Sequence, residues 1–136
     1  DVDVTAFGYE PGQLPRLPAA FTADPALVAA AVRSINTLGF CKTKTGLITT
    51  GDVFMCEPER INKTRATFPQ MLAVEMEGAA IAQVCFQLNT PFVVIRSLSD
   101  IAGKESPTSF DAYLEIASKN SSAMVLELLR ELHAAA

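Results

Sequence analysis

Four carboxylates, a serine pair and one aromatic ring are the residues of this chain whose types and spacing could do chemistry together. Asp52 follows Gly51 and stands two residues before Phe54; Glu75 and Glu77 flank Met76; Asp100 closes the run Arg96-Ser97-Leu98-Ser99-Asp100. Carboxylates accept hydrogen bonds from sugar hydroxyls and, when protonated, donate a proton to a leaving group. A ring such as Phe54 offers a face to a flat heterocycle. The set suits a neutral, polyhydroxylated ligand with an aromatic part. Each member also has an ordinary structural reading. Asp52 after glycine is a turn residue. Glu77 before Gly78 complements a helix N-terminus. Asp100 caps a loop, Glu75 and Met76 are plain strand residues, and Phe54 belongs to a core.

What brings these residues together is a set of elements read from hydrophobic periodicity. Asp24-Pro25 is a helix start, with Asp as cap and Pro in the first helical position. Val28, Ala31, Ile35 and Leu38 follow at helical spacing and Gly39 is the stop, so a helix is predicted over 25–38. Thr45 to Thr50 reads as a strand ending at the Gly51-Asp52 turn. Residues 56–69 read as a loop with a short helix. Leu72 to Met76 reads as a strand and 78–88 as a helix, broken by Asn89-Thr90-Pro91. Phe92 to Ile95 is a continuous apolar run, the pattern of a central parallel strand. Residues 72–96 are then a parallel strand–helix–strand unit. A long helix follows from near Ser109, carrying Phe110, Tyr113, Leu114, Ala117, Met124, Val125, Leu128 and Leu132. In open α/β sheets ligands bind beyond the carboxyl ends of the strands; Asp52, Phe54, Glu77 and the 96–100 run follow predicted strands, and Glu75 and Met76 lie at the end of one. Residues 1–23, with Gly8, Pro11, Gly12, Pro15 and Pro18, read as an ordered arm.

Composition narrows the class. The chain has 136 residues, 49% apolar and 19% charged, which supports one folded domain. The net charge is −4 and the 11 basic residues are scattered, which argues against nucleic acid or an anionic membrane surface as partner. No apolar run approaches the ~20 residues of a membrane span. Cys41, Cys56 and Cys85 are odd in number and lack metal-site spacing, pointing to a reducing, cytoplasmic setting without structural zinc. His133, near the end of the chain, reads as solvated. The acidic opening Asp1-Val2-Asp3-Val4 lacks Met and a signal-peptide pattern, so upstream sequence is expected.

Four stretches carry a family resemblance. Val74-Glu75-Met76-Glu77-Gly78-Ala79-Ala80-Ile81-Ala82 resembles the VEME-(A/G)-AAIA signature of bacterial methylthioadenosine/S-adenosylhomocysteine nucleosidases. Thr50-Gly51-Asp52-Val53-Phe54 resembles their (S/T)GD-x-F motif, and Ser97-Leu98-Ser99-Asp100 their SD motif. Thr5 to Pro15 resembles their TAFGY-E-x-GQ-(L/V)-P stretch, and the tail Ser109-Phe110-Asp111 agrees as well. The resemblance implies an α/β fold, part of a three-layer α/β/α nucleoside phosphorylase-like architecture with a mixed central sheet. Residues 1–136 would form the C-terminal portion of one nucleosidase domain, with the N-terminal strands missing from this chain. It implies hydrolysis of the N-glycosidic bond of an adenine thionucleoside, without cofactor or metal. Asp100 is then the general acid at N7 of the base and Ser99 its orienter. Glu77 binds the ribose hydroxyls, Met76 packs on the sugar, Phe54 stacks on adenine and the backbone of Met55 reads its edge. Glu75 belongs to the same substrate-binding run, and Phe110 lines the alkylthio pocket. The family forms homodimers, and Phe7, Tyr9 and Pro15 would complete the neighbour's pocket. The family's water-activating Glu has no counterpart among these residues, so a missing N-terminal segment is an implied partner and the chain alone is expected to be inactive.

Other readings remain beside this one. Phosphorolysis on the same fold needs converging Arg or Lys around phosphate, and Arg96 is the one basic residue near the sheet end. A related nucleoside such as futalosine could be the substrate. A nucleoside-binding or dimerisation module without turnover would keep every residue that holds base and sugar.

Overall fold

The computed structural model describes residues 3–98 and 107–134. Two compact units divide the chain, one of Asp1–Ala23 with Gly46–Phe92, the other of Asp24–Thr45 with Val93–Ala136.

The first unit holds β1 (Leu47–Thr50), α2 (Pro58–Thr67), β2 (Met71–Glu75) and α3 (Gly78–Gln87); the second holds α1 (Pro25–Leu38) and α4 (Pro107–Ala134). Strands β1 and β2 pair in parallel, with Ile48 opposite Ala73, Thr49 opposite Val74 and Thr50 opposite Glu75. The register slips between Leu47 and Ile48, so Leu72 is an extra residue in β2. Its side chain lies over Gly46, where an added Cβ would come within 2.5 Å of Leu72 Cδ1. A side chain at position 46 would oblige the exposed Leu72 side chain to turn aside. Helix α2 joins the strands as the crossover that a parallel pair requires. It starts at Pro58, suited to a position without a helical N–H partner, and buries Ile61.

The arm before α1 is held by its own polar groups. A single 3₁₀ turn, Thr5–Phe7, ends at Gly8 with φ 85°, a backbone state open to glycine. The Asp3 carboxylate accepts the Thr5 N–H at 3.0 Å and its hydroxyl at 2.8 Å. The Thr5 backbone N–H, then its hydroxyl, hold Asp3 below the usual carboxylate range. Gln13 takes the Glu10 N–H and donates to the Leu17 carbonyl. Phe21 reaches Phe86 of α3 as a tilted ring pair, centroids 5.5 Å apart.

In the second unit, α1 begins and ends where local chemistry puts it. Asp24 Oδ1 accepts the Leu27 N–H at 2.9 Å, and Gly39, at φ 68°, returns its N–H to the Ile35 carbonyl. The helix packs against α4 and buries Ala30, Ala31, Ser34 and Ile35, while α4 buries Met124. The buried Ser34 hydroxyl donates to the Ala30 carbonyl at 2.9 Å, so no polar group is stranded. Arg33 pairs with Glu131 at the rim of this contact, a half-exposed pair worth little.

Two expectations are corrected. Residues 91–98 form no regular element, so 72–96 is not a strand–helix–strand unit. The parallel unit of this type is β1–α2–β2. A strand exists by exchanging hydrogen bonds with a neighbour, and the sheet of the described residues is β1–β2 alone. The run Phe92–Ile95 is half-buried, which its apolar composition achieves without a ladder. Helix α4 begins at Pro107 rather than near Ser109, since proline is tolerated in a first turn. Among the described residues no helix is long and apolar enough to cross a membrane.

Candidate active site

Because β1 and β2 run in parallel with Thr50 opposite Glu75, the segments that follow both strands leave from one edge of the sheet. From β1 comes Gly51 to Glu57, which carries Asp52, Phe54 and Met55. From β2 come Met76 and Glu77, directly before α3. Gly51 donates its N–H to the Glu75 carbonyl at 3.0 Å, so the ladder extends one residue past the last paired position. Three large apolar side chains stand exposed beyond this edge, Val53 at 43%, Phe54 at 65% and Met76 at 42%. Asp52 and Glu77 are exposed and Met55 is half-buried. Exposed apolar side chains beside carboxylates make the mixed surface that a nucleoside-like ligand requires.

The two glutamates of the Glu75-Met76-Glu77 run have different settings. The half-buried Glu75 turns its carboxylate onto the start of α3: Oε2 accepts the N–H of Glu77 at 3.0 Å and of Gly78 at 2.7 Å. Its Oε1 accepts the Thr50 hydroxyl. Thr50 Oγ1 in turn accepts the Ala79 N–H at 2.8 Å. A Cβ on Gly78 would lie 2.9 Å from Glu75 Oε1, so that carboxylate sits hard against the helix. Glu77 occupies the N-cap position, with φ −128° and ψ −27°, yet its side chain makes no capping bond. The capping bonds at this helix start are thus made by Glu75 and not by Glu77. Thr50, to which the sequence assigns no task beyond its place in a motif, is the second part of this cap. Its signal is spatial, since only the register brings it opposite Glu75.

Other expected site residues are placed less fully. Ser99 and Asp100 lie outside the described residues, as does the side chain of Phe110, which falls in α4. Phe7, Tyr9 and Pro15 lie in the arm, with Phe7 80% exposed, Pro15 exposed and Tyr9 half-buried. In the second unit, Ile95, Arg96 and Ser97 join Tyr113, Leu114, Ala117, Ser118 and Ser121 around an open hollow of about 290 Å³. Ser97 and Ser121 hydroxyls meet there at 3.3 Å. Among the described residues, no group of three or more His, Cys, Asp or Glu is placed to hold a metal ion. All three cysteines are unpaired.

Comparison with known proteins adds what the geometry cannot name. The model of the phosphorylase superfamily matches residues 1–130. A 5′-methylthioadenosine/S-adenosylhomocysteine nucleosidase of Pseudoalteromonas translucida is 67% identical over 134 residues, covering 98% of this chain and 57% of the relative. The solved nucleosidase of this type from Colwellia psychrerythraea, in complex with adenine, superposes with a TM-score of 0.89 at 65% identity, over 97% of this chain and 55% of that one. Its counterpart from Neisseria meningitidis, in complex with methylthio-immucillin-A, gives 0.88 at 50% identity, over 95% and 56%. This chain thus spans a little over half the length of the relatives it matches.

Proposed function

The chain belongs to the phosphorylase superfamily, and on that premise we propose that it is part of an enzyme hydrolysing 5′-methylthioadenosine and S-adenosylhomocysteine to adenine and the 5-thioribose product. The observation that carries this reading is the edge of the β1–β2 pair. Phe54, Met76 and Glu77 are each exposed in the segments that follow two parallel strands, which supports this reading. The adenine held by a solved relative at 65% identity supports the same reading.

Hydrolysis breaks the C1′–N9 bond with its electron pair going to the base. Adenine leaves poorly as an anion, so a proton must reach N7, and Asp100, oriented by Ser99, is the proposed donor. The sugar becomes cation-like, and Glu77 on its hydroxyls gives a contact that strengthens with that charge. Phe54 stacks on the base, the Met55 backbone meets its edge, and Met76 covers the sugar. Phe110 lines the alkylthio pocket, which Phe7, Tyr9 and Pro15 of a second copy complete in a homodimer. Water supplies the hydroxyl added at C1′. The carboxylate that activates it is assigned to a proposed segment N-terminal to residue 1, outside this chain. Residues 1–136 then form the C-terminal portion of one catalytic domain, which needs no cofactor. The three unpaired cysteines suit a cytoplasmic enzyme.

The test is adenine release from methylthioadenosine, measured chromatographically for the 136-residue chain alone and with the N-terminal segment supplied. The chain alone should release none; the pair should turn over without phosphate and prefer methylthioadenosine to futalosine. Strict phosphate dependence would mean phosphorolysis. Multiple turnover by the chain alone would mean that one of its own carboxylates activates water, and no release by the pair would sink the nucleosidase reading.

A further inference from the structure

A glutamate next to a helix start can cap that helix or face a ligand, and its carboxylate does not do both well. At α3 the capping is done by residues from elsewhere. The N–H groups of Glu77, Gly78 and Ala79 are three donors that a helix N-terminus leaves without intrahelical partners. Two go to Glu75 Oε2, at 3.0 and 2.7 Å, and the third to Thr50 Oγ1, at 2.8 Å. The Thr50 hydroxyl closes the arrangement by donating to Glu75 Oε1. The ends of both strands are thereby tied to the start of α3, in the order Thr50, Glu75, helix. Bonds between backbone N–H groups and a carboxylate are the stronger kind, and negative charge at this end complements the helix dipole. Glu77 sits at the N-cap without using its side chain there.

We propose that Thr50 and Glu75 are positioning residues: they cap α3 in place of Glu77 and so hold the Glu77 backbone where its carboxylate meets the substrate sugar. Glu75 then acts through Glu77 and not on the substrate. The geometry also explains the order of the pair in the run Glu75-Met76-Glu77. The first glutamate ends a strand and can fold onto the helix that follows it. The second starts that helix and is carried outward.

The proposal rests on the nucleosidase reading, and the experiment separates the two. Glu75→Gln, Glu77→Gln, their double variant, Thr50→Val and Thr50→Ser are made in the protein together with its N-terminal segment. Glu75→Gln keeps the shape but removes the charge from the cap. It should lower kcat/KM about tenfold or more, while in the Glu77→Gln background the same change should cost less than about threefold, the mark of residues acting as one unit. Thr50→Val should behave like Glu75→Gln, and Thr50→Ser, which keeps the hydroxyl, should restore most of the activity. Amide exchange of Gly78 and Ala79 should speed up in Glu75→Gln and Thr50→Val but not in Thr50→Ser. Losses that multiply independently at Glu75 and Glu77, or a Thr50→Val protein with unchanged kcat/KM and amide exchange, would overturn the positioning role alone. An unsubstituted protein that releases no adenine overturns the nucleosidase reading and the positioning role with it.

Discussion

Two isoleucines of very different burial offer a direct measure of what holds the α1–α4 contact. Ile35 lies on the covered side of α1 at 8% exposure, whereas Ile81 of α3 is 56% exposed. Truncation to alanine removes the same three carbons from each. At about 0.8 kcal/mol per buried carbon, Ile35→Ala loses about 2.5 kcal/mol of transfer free energy. The space left behind adds to that, because the neighbouring helix relaxes only in part. Alanine's better helix propensity returns about 0.4 kcal/mol. The expected cost for Ile35→Ala is therefore about 3 kcal/mol. For Ile81→Ala, more than half the burial is already absent and the propensity gain is the same, so about 0.7 kcal/mol is expected. Urea denaturation followed by circular dichroism at neutral pH, with the slope checked for constancy, gives both values. A cost under about 1 kcal/mol for Ile35→Ala would refute the α1–α4 core as described. An equal cost for both variants would mean that α3 is covered in the working protein and that its exposed face is an interface.

Three further outcomes are expected. Asp100→Asn should lower kcat by about 10²–10⁴-fold with substrate binding largely kept, in steady-state assays of the chain with the proposed N-terminal segment supplied; near-normal kcat rejects Asp100 as the acid. Asp24→Ala should cost about 1 kcal/mol of stability, and Asp24→Asn much less, because Asn can still accept the Leu27 N–H; equal losses in urea melts would show that charge and not the cap bond matters. Phe7, 80% exposed on the arm, should be covered in a homodimer, so Phe7→Ser should weaken association in sedimentation at micromolar concentration; an unchanged dimer would place the interface elsewhere.

Local chemistry was legible from the residues alone. Asp24-Pro25 and Gly39 bound α1 at the positions the sequence predicts, since capping and a left-handed stop depend on a few neighbouring residues. The short helix within 56–69, both strands at the candidate edge and the helix after Glu77 stand within about two residues of where apolar periodicity and turn residues put them. The motifs around Thr50, Glu75 and Asp100 carried the family, which the match over residues 1–130 bears out.

What depends on partners far along the chain was not legible. The apolar run at 92–95 has the composition of a central strand, but a strand is defined by the neighbour that receives its hydrogen bonds, and composition does not name one. The bulge at Leu72 arises in the pairing with Leu47 and Ile48, more than 20 positions earlier. The division of labour between Glu75 and Glu77 is the sharpest case. The sequence places Glu75 at a strand end and Glu77 at a helix start, and by helix-dipole reasoning it gives the helix start to Glu77. Only the register that sets Thr50 opposite Glu75 turns one carboxylate onto the helix and leaves the other outside the cap, because hydrogen bonds are won by distance and direction in space and not by order along the chain.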